Sequence, residues 1–314
     1  MLHRAGEPSD NRAVNRTQPA DLSVGVVITN YNTWPLTCRC LDAVVKSDSV
    51  DRIVVVDDAS SSPPPEALDS RVELLVNAGN QGLCRSLNRG VRECDTDIVV
   101  IFDSDAYPLR PYADHLRAAF ANEAKLAMVG FTTVSTGGIP TASSEVEPDV
   151  MGLVLGQRLD RVRRRLRKRT VSEGEISIFT CAMAVRRDAF LAIGGFDEEF
   201  DWLDLDHDLS MRLRLAGLLL RLDPTLLAFH EGGGTPQRTA DRVKRHYLNR
   251  WRLLRKHGKL RHPGLVRALL LGRLGGELLA LRLLGPLLVR DAAVRTDKIA
   301  GRRQVLAHLR RDCR

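Results

Sequence analysis

The chain has 314 residues, 44% of them apolar and 27% charged, with a formal net charge of +8. That length accommodates one large α/β domain or two modest ones, and the apolar share excludes a chain that is disordered throughout. The charge is uneven: residues 238–314 hold 21 Lys/Arg against 5 Asp/Glu, a net of +16, which leaves residues 1–237 with a net of −8.

Residues 1–20 contain no apolar core of signal-peptide length and read as a disordered leader. "LSVGVVITNY" at 22–31 is a continuous β-branched run, the pattern of a strand covered on both faces. Residues 35–47 place Leu36, Cys40, Leu41 and Val44 at helical spacing. "DRIVVVDDAS" at 51–60 and "RVELLVN" at 71–77 read as two further strands, 82–94 as a helix, and "DIVVIFDSD" at 97–105 as a fourth strand. This β-α-β order predicts a parallel sheet with right-handed crossovers, in which ligands bind beyond the carboxyl ends of the strands. Positions 29–32, 57–58, 77–82 and 103–105 fall at those ends.

Residues 132–148 are rich in Thr, Gly, Ser and Pro and read as loop. "RLDRVRRRLRKR" at 158–169 holds eight basic residues and one acid, a helix or mobile loop suited to an anionic partner, or else a solvated face. A strand, a short helix and a Gly-Gly turn follow, ending in "FDEEF" at 196–200. "DHDLSMRLRLAG" is a helix with Asp206 or Asp208 near its start and Gly217 as terminator. One or two strands then lead to His230.

The stretch 265–289 is Leu-rich but interrupted by Arg267, Arg273, Glu277 and Arg282, too often for a spanning helix. It fits a helix lying in a membrane interface, or a helical hairpin packed on the body, with Gly275-Gly276 and Pro286 expected to break or kink it. The basic tail points to lipid headgroups or nucleic acid as an anionic partner, with a solvated arginine-rich surface as the plain alternative. Nucleic acid is disfavoured because aromatics are sparse there and no nucleic-acid motif is evident. The six cysteines show no zinc-knuckle spacing, and reduced thiols in a cytosolic protein account for them.

Asp103 and Asp105 end an apolar run, which raises the question of what compensates two buried charges. Carboxylates one residue apart on a turn can share Mn²⁺ or Mg²⁺, which bridges protein oxygens to substrate phosphates. Asp58 closes an upstream strand, where a carboxylate can accept a hydrogen bond from a pyrimidine N3–H. Tyr31 offers a ring for a base, and Gly79 and Gly82 precede a helix N-terminus favourable for phosphate.

The ordered blocks "VVITNYN", "IVVVDDAS", "NAGNQGLCRSLNRG", "IFDSDA", "CAMAVRRDAFLAIGGFDEEF", "DLDHDLSMRLRLAG" and "FHEGGGT" resemble the family 2 glycosyltransferases of the GT-A fold. They are similar in particular to the bacterial branch that includes rhamnosyltransferases and galactofuranosyltransferases, over residues 22–235. The resemblance implies an α/β fold, a Rossmann-like, mixed and mostly parallel sheet flanked by helices over 21–237, with a basic helical C-terminal region at 238–314. It implies that Thr29, Tyr31 and Asp58 hold the nucleoside, and that Asn80, Gly82 and Asn88 shape the loop beside the ribose and diphosphate. Asp103 and Asp105 would be the D-x-D, with Asp105 the more direct metal ligand and His230 completing the site. Gly194, Gly195 and Phe196 would line the acceptor side.

Asp206 aligns with the catalytic base, with Asp204 in reserve, because the Glu-Asp pair usual in the family is here Leu205-Asp206. The implied enzyme is inverting, takes a nucleotide-diphosphate sugar with UDP or dTDP favoured, and transfers to a glycan, glycolipid or small glycoside. It would work in the cytoplasm, peripherally at the inner face of the membrane. Two rivals remain from other classes. A nucleotidyltransferase would need a triphosphate loop that "TNYNTWP" does not provide, and a non-catalytic nucleotide- or nucleic-acid-binding module would show no donor turnover.

Overall fold

The computed structural model describes residues 22–311 apart from 48, 66–67, 167–174, 201 and 233–237. The expected leader, and 167–169 of the basic stretch, lie outside the described residues. The Val/Ile-rich runs form β1 (Val24–Asn30), β2 (Arg52–Asp57), β3 (Val72–Val76) and β4 (Ile98–Phe102), paired in parallel in the order β3-β2-β1-β4. Because side chains alternate along a strand, each run feeds two cores. Val24, Val26 and Ile28 pack on Cys40, Leu41 and Val44 of α1 (Trp34–Ser47). Val27, Val54 and Val56 pack on Cys84, Leu87 and Val91 of α2 (Leu83–Glu93) on the opposite face.

Beyond β4 the chain runs through β5 (Ala106–Pro108), α3 (Ala113–Asn122), β6 (Leu126–Val134), β7 (Ser144–Val146), α4 (Val150–Leu155) and α5 (Gln157–Leu166). It continues through β8 (Ile176–Ile178), β9 (Ala182–Arg186), α6 (Arg187–Ala192), α7 (Leu205–Leu215) and β10 (Leu219–His230). Among the described residues the main sheet has eight strands in the order β3-β2-β1-β4-β9-β6-β10-β5. It is mixed rather than wholly parallel. β9 starts beside the end of β4, with Ala182 opposite Phe102, and runs back antiparallel to both β4 and β6. β5 is antiparallel to β10, while β10 is parallel to β6.

The expected loop at 132–148 is partly ordered, since β6 reaches Val134 and β7 pairs with β8 in a separate two-stranded ribbon. The single long β10 absorbs its irregularity between Asp223 and Leu227.

Among the described residues, four helices close the chain: α8 (Thr239–Lys256), α9 (Pro263–Leu283), α10 (Gly285–Leu288) and α11 (Ala292–Arg311). They build a third core in which Trp251 and Leu254 of α8, Leu270 and Leu274 of α9, and Val305 of α11 surround Leu153 of α4. Gly275-Gly276 does not break α9, contrary to the sequence expectation. A helical glycine costs about 1 kcal/mol, whereas each leucine buried on the inner face returns about 1.5–3 kcal/mol. Pro286 falls in the first turn of α10, where its missing N–H is not needed.

Candidate active site

The carboxyl ends of β1, β2 and β4 open into a cleft of about 830 Å³. Two neighbouring aspartates divide the work at the end of β2. Asp57 turns inward: Asn30 Nδ2 donates to it at 2.7 Å and Ser60 Oγ at 2.5 Å, which ties β1 to β2. Thr33 and Thr37 hydroxyls donate to Asn30 Oδ1, fixing the start of α1 to the same knot. Thr29 and Tyr31 are thereby held on either side of Asn30, and both line the cleft.

Asp58 is buried and lines the cleft. Its Oδ1 accepts from Asn77 Nδ2 at 2.8 Å and Gln81 N at 2.7 Å, and its Oδ2 accepts from Gly82 N at 2.9 Å. The carboxylate therefore shapes the 77–82 loop and retains lone-pair capacity on Oδ2 for a ligand N–H. Asn80 and Gly82 also line the cleft, with Gly82 at φ 87° immediately before α2.

Asn88 is placed elsewhere. It is buried, donating from Nδ2 to Phe196 O at 2.9 Å and accepting from Phe196 N at 2.8 Å. Gly194, Gly195 and Phe196 are likewise not brought to the cleft lining. Phe196 is a core ring, 5.3 Å from Phe190. Gly195 has φ 70°, and a Cβ there would lie 2.5 Å from Asn88 Oδ1. The Gly-Gly-Phe turn is thus braced by Asn88 of α2.

The D-x-D meets its histidine through strand register. β5 pairs with β10 so that His230 stands opposite Ala106, and Glu231 N donates to Asp105 O at 3.0 Å. Asp103, Asp105 and His230 consequently offer ligand atoms that all lie within 4.8 Å of one another, with His230 Nε2 3.6 Å from Asp105 Oδ1. Burial and the neighbouring Asp105 push the Asp103 carboxyl up to about 7. The Asp105 contact raises the His230 imidazole despite its burial. Two carboxylates and an imidazole fit a hard to borderline divalent cation, Mn²⁺ better than Mg²⁺ because of the nitrogen. The raised Asp103 carboxyl marks where such a charge would relieve repulsion.

The first turn of α7 forms the opposite wall with three aspartates in different settings. Asp206 lines the cleft, as Asp204 also does; Asp206 Oδ1 accepts from Thr180 N at 2.9 Å, and burial raises its carboxyl above the ordinary value. Asp204, at φ 66°, accepts from Arg250 Nε at 3.0 Å and Nη2 at 2.7 Å on the same oxygen. Its other oxygen, Oδ2, is buried without a hydrogen-bond partner. Asp208 is fully buried against Arg212, Lys256 and His257. Burial alone would raise it, but hydrogen bonds with His257 and Lys256 and the charge of Arg212 hold it at about 2.

Sequence reasoning missed one wall. Arg242, Arg245, His246 and Arg250 of α8 line the cleft beside Glu145 and His207. Their spacing, i, i+3, i+4 and i+8, puts them on one helix face, a signal obscured by the overall basicity of the tail. Burial and the nearby Arg250 lower the His246 imidazole to about 4, so it stands neutral in that wall.

A mixed sheet that gathers a polar cleft, a D-x-D and a partner histidine at its strand ends has the architecture of the GT-A fold. The chain belongs to Glycosyl transferase family 2, whose sequence pattern matches residues 25–194. No curated protein sequence matches the chain. Among solved structures it is similar to GalNAc-T7 with UDP, GalNAc and Mn²⁺, at 18% identity and a TM-score of 0.55, covering 74% of this chain. The chain spans about half of that protein, which is covered over 48% of its length. It is also similar to the mannosyltransferase PcManGT from Pyrobaculum calidifontis in complex with GDP-Man and Mn²⁺. There the identity is 18% and the TM-score 0.54, over 91% of this chain and 87% of that one. At these identities the likeness is one of fold.

Proposed function

We propose that the chain is an inverting, metal-dependent glycosyltransferase of the rhamnosyl- and galactofuranosyltransferase-like branch. Its donor is a UDP- or dTDP-sugar, and its acceptor is a hydroxyl of a cell-surface glycan or glycolipid, glycosylated in the cytoplasm at the inner membrane face. One observation carries the reading: Asp206 faces the cleft that the Asp103, Asp105 and His230 cluster also lines, while its acidic neighbours are neutralised.

Thr29 and Tyr31 bind the nucleoside, and Asp58 Oδ2 accepts a base N–H while its other oxygen keeps the 77–82 loop in place. Asn80 and Gly82 border the ribose and diphosphate. Asp103, Asp105 and His230 hold Mn²⁺ or Mg²⁺, which when bound neutralises the diphosphate leaving group. Both structural relatives named above carry Mn²⁺ with a nucleotide or nucleotide sugar.

Asp206 accepts the proton of the acceptor hydroxyl as that oxygen attacks the anomeric carbon, with Thr180 N–H holding Oδ1 in position. A carboxyl raised by burial is the better proton acceptor. Asp204 is committed to Arg250 and Asp208 to Arg212, Lys256 and His257. One displacement and one base give inversion without a covalent intermediate.

A thermal-shift screen of UDP-, dTDP- and GDP-sugars with and without Mn²⁺ tests the reading. The true donor raises the melting temperature in proportion to its binding, and does so only with metal present. Stabilisation by no nucleotide sugar, or by all of them equally without metal, would sink the proposal.

A further inference from the structure

α9 is apolar on two sides. Its inner side supplies Val266, Leu270, Leu274 and Leu278 to the third core. Helical spacing places Leu265, Leu269, Gly272, Gly276, Leu279 and Leu283 together on the outer side, with no charged side chain on that stripe. The leucines there are 61%, 48%, 57% and 71% exposed, and Leu287 in α10 is 84% exposed. The helix is 21 residues long, so the stripe extends for about 30 Å. A continuous apolar surface of that length marks an interaction site. No helix among the described residues is long and apolar enough to cross a membrane, so α9 is a surface element.

We propose that the outer face of α9, together with α10, docks on an anionic lipid bilayer. Charge complementarity selects this occupant. Arg261 stands exposed ahead of the helix, and Arg282 and Arg290 are exposed at its far end. Between 259 and 290 the only acid is Glu277, and it is engaged by Arg273 at 3.1 Å and Arg302 at 2.7 Å. A leucine stripe with a basic rim is the pattern of an interfacial helix, whose arginines reach anionic headgroups while its leucines enter the acyl boundary. A second copy of the chain would bring one basic rim against another, which opposes association.

α5, joined to α9 through α4, repeats the pattern. It exposes Leu159, Val162 and Leu166 at spacing i, i+3 and i+7, beside Arg158, Arg161 and Arg165. α9 shares the third core with α8, and α8 forms a wall of the cleft. Docking by this face therefore ties the cleft to the bilayer surface, whatever sugar it transfers.

The experiment uses the full chain and two vesicle preparations, phosphatidylcholine alone and phosphatidylcholine mixed with phosphatidylglycerol. The chain is expected to sediment with the mixed vesicles and to bind more weakly at high salt and on the zwitterionic ones. The combined variant Leu265→Gln, Leu269→Gln, Leu279→Gln, Leu283→Gln should lose about tenfold or more in vesicle affinity at an unchanged melting temperature. The single variant Leu287→Trp adds an independent reading: its fluorescence should be quenched by brominated acyl chains well beyond that of the parent protein. Undiminished vesicle binding by the Gln variant overturns the proposal, as does fluorescence of the Leu287→Trp variant that brominated lipid quenches no more than the parent's. So does a parent dimer that the Gln variant converts to monomer while neither protein binds vesicles.

Discussion

Asp204, Asp206 and Asp208 occupy alternate positions on one helical turn, yet their neighbours assign them different chemistry. Asp204 answers Arg250, Asp208 answers Arg212, Lys256 and His257, and Asp206 receives a hydrogen bond from Thr180 N and faces the cleft. Replacing Asp206 by Asn keeps the shape and removes the proposed proton acceptor. Turnover should fall by on the order of 10²-fold or more while nucleotide binding stays near the parent value. Steady-state kinetics beside a nucleotide-binding titration would check this, and an unimpaired kcat would disqualify Asp206 as the base. In the same cleft, His230→Ala removes the proposed nitrogen ligand. Changes in outer-shell partners alone cost about 10–100-fold in metal affinity, so this loss should reach about tenfold at least. Titration of Mn²⁺ followed by electron paramagnetic resonance reads it directly; an unaltered affinity would exclude His230 from the donor set.

At the scale of elements, α7 and α8 are clamped by Asp208, with Lys256 at the end of α8 reaching it at 2.7 Å and the next residue, His257, at 2.9 Å. The folded carboxyl titrates at about 2 against an ordinary 3.8, so ionised Asp208 favours the folded chain by about 2 kcal/mol. Because its value is depressed on folding, that stability is fully present above about pH 4 and is lost as pH falls through about 2. Asp208→Asn should lower stability near neutral pH by about 2 kcal/mol or more, since the part-buried Arg212 and Lys256 lose their counter-charge. Between pH 4 and 2 the melting temperature of the variant should fall less steeply than that of the parent. Parallel curves over that range would show that the clamp carries no such linkage. The same elements show what sequence could reveal. The D-x-D and His230 were legible because a strand ending in acid and a histidine after an apolar run are local patterns. The bracing role of Asn88 was not legible, because its partner Phe196 lies 108 residues away and only tertiary packing brings the two together.

At the scale of the molecule, the C-terminal helices looked in the sequence like a charged appendage. In the fold α8 is shared property: Leu253 packs in the core under α2, Leu254 in the core of the C-terminal helices, and Arg242, Arg245 and Arg250 line the cleft. A net of +16 over 238–314 could not disclose this, because charge counts do not say which arginines face inward. If α8 is a cleft wall, a disturbance behind it should be felt in front. α11 approaches α8 closely at Gly301, where a Cβ would lie 2.7 Å from Ala240 O and 2.9 Å from Val243 Cβ. Gly301→Leu must push the two helices apart, at a cost of about 1–3 kcal/mol. Gly272, in contrast, has nothing within 4 Å of its Cβ position and lies in a helix, so Gly272→Ala should stabilise by about 0.4–1 kcal/mol. With the donor identified by thermal shift, Gly301→Leu should lower both the melting temperature and kcat/KM, although residue 301 is remote in sequence from every proposed site residue. Gly272→Ala should leave kcat/KM unchanged. A Gly301→Leu enzyme that melts earlier yet transfers sugar at the parent rate would show that α8 supports the fold without shaping the cleft.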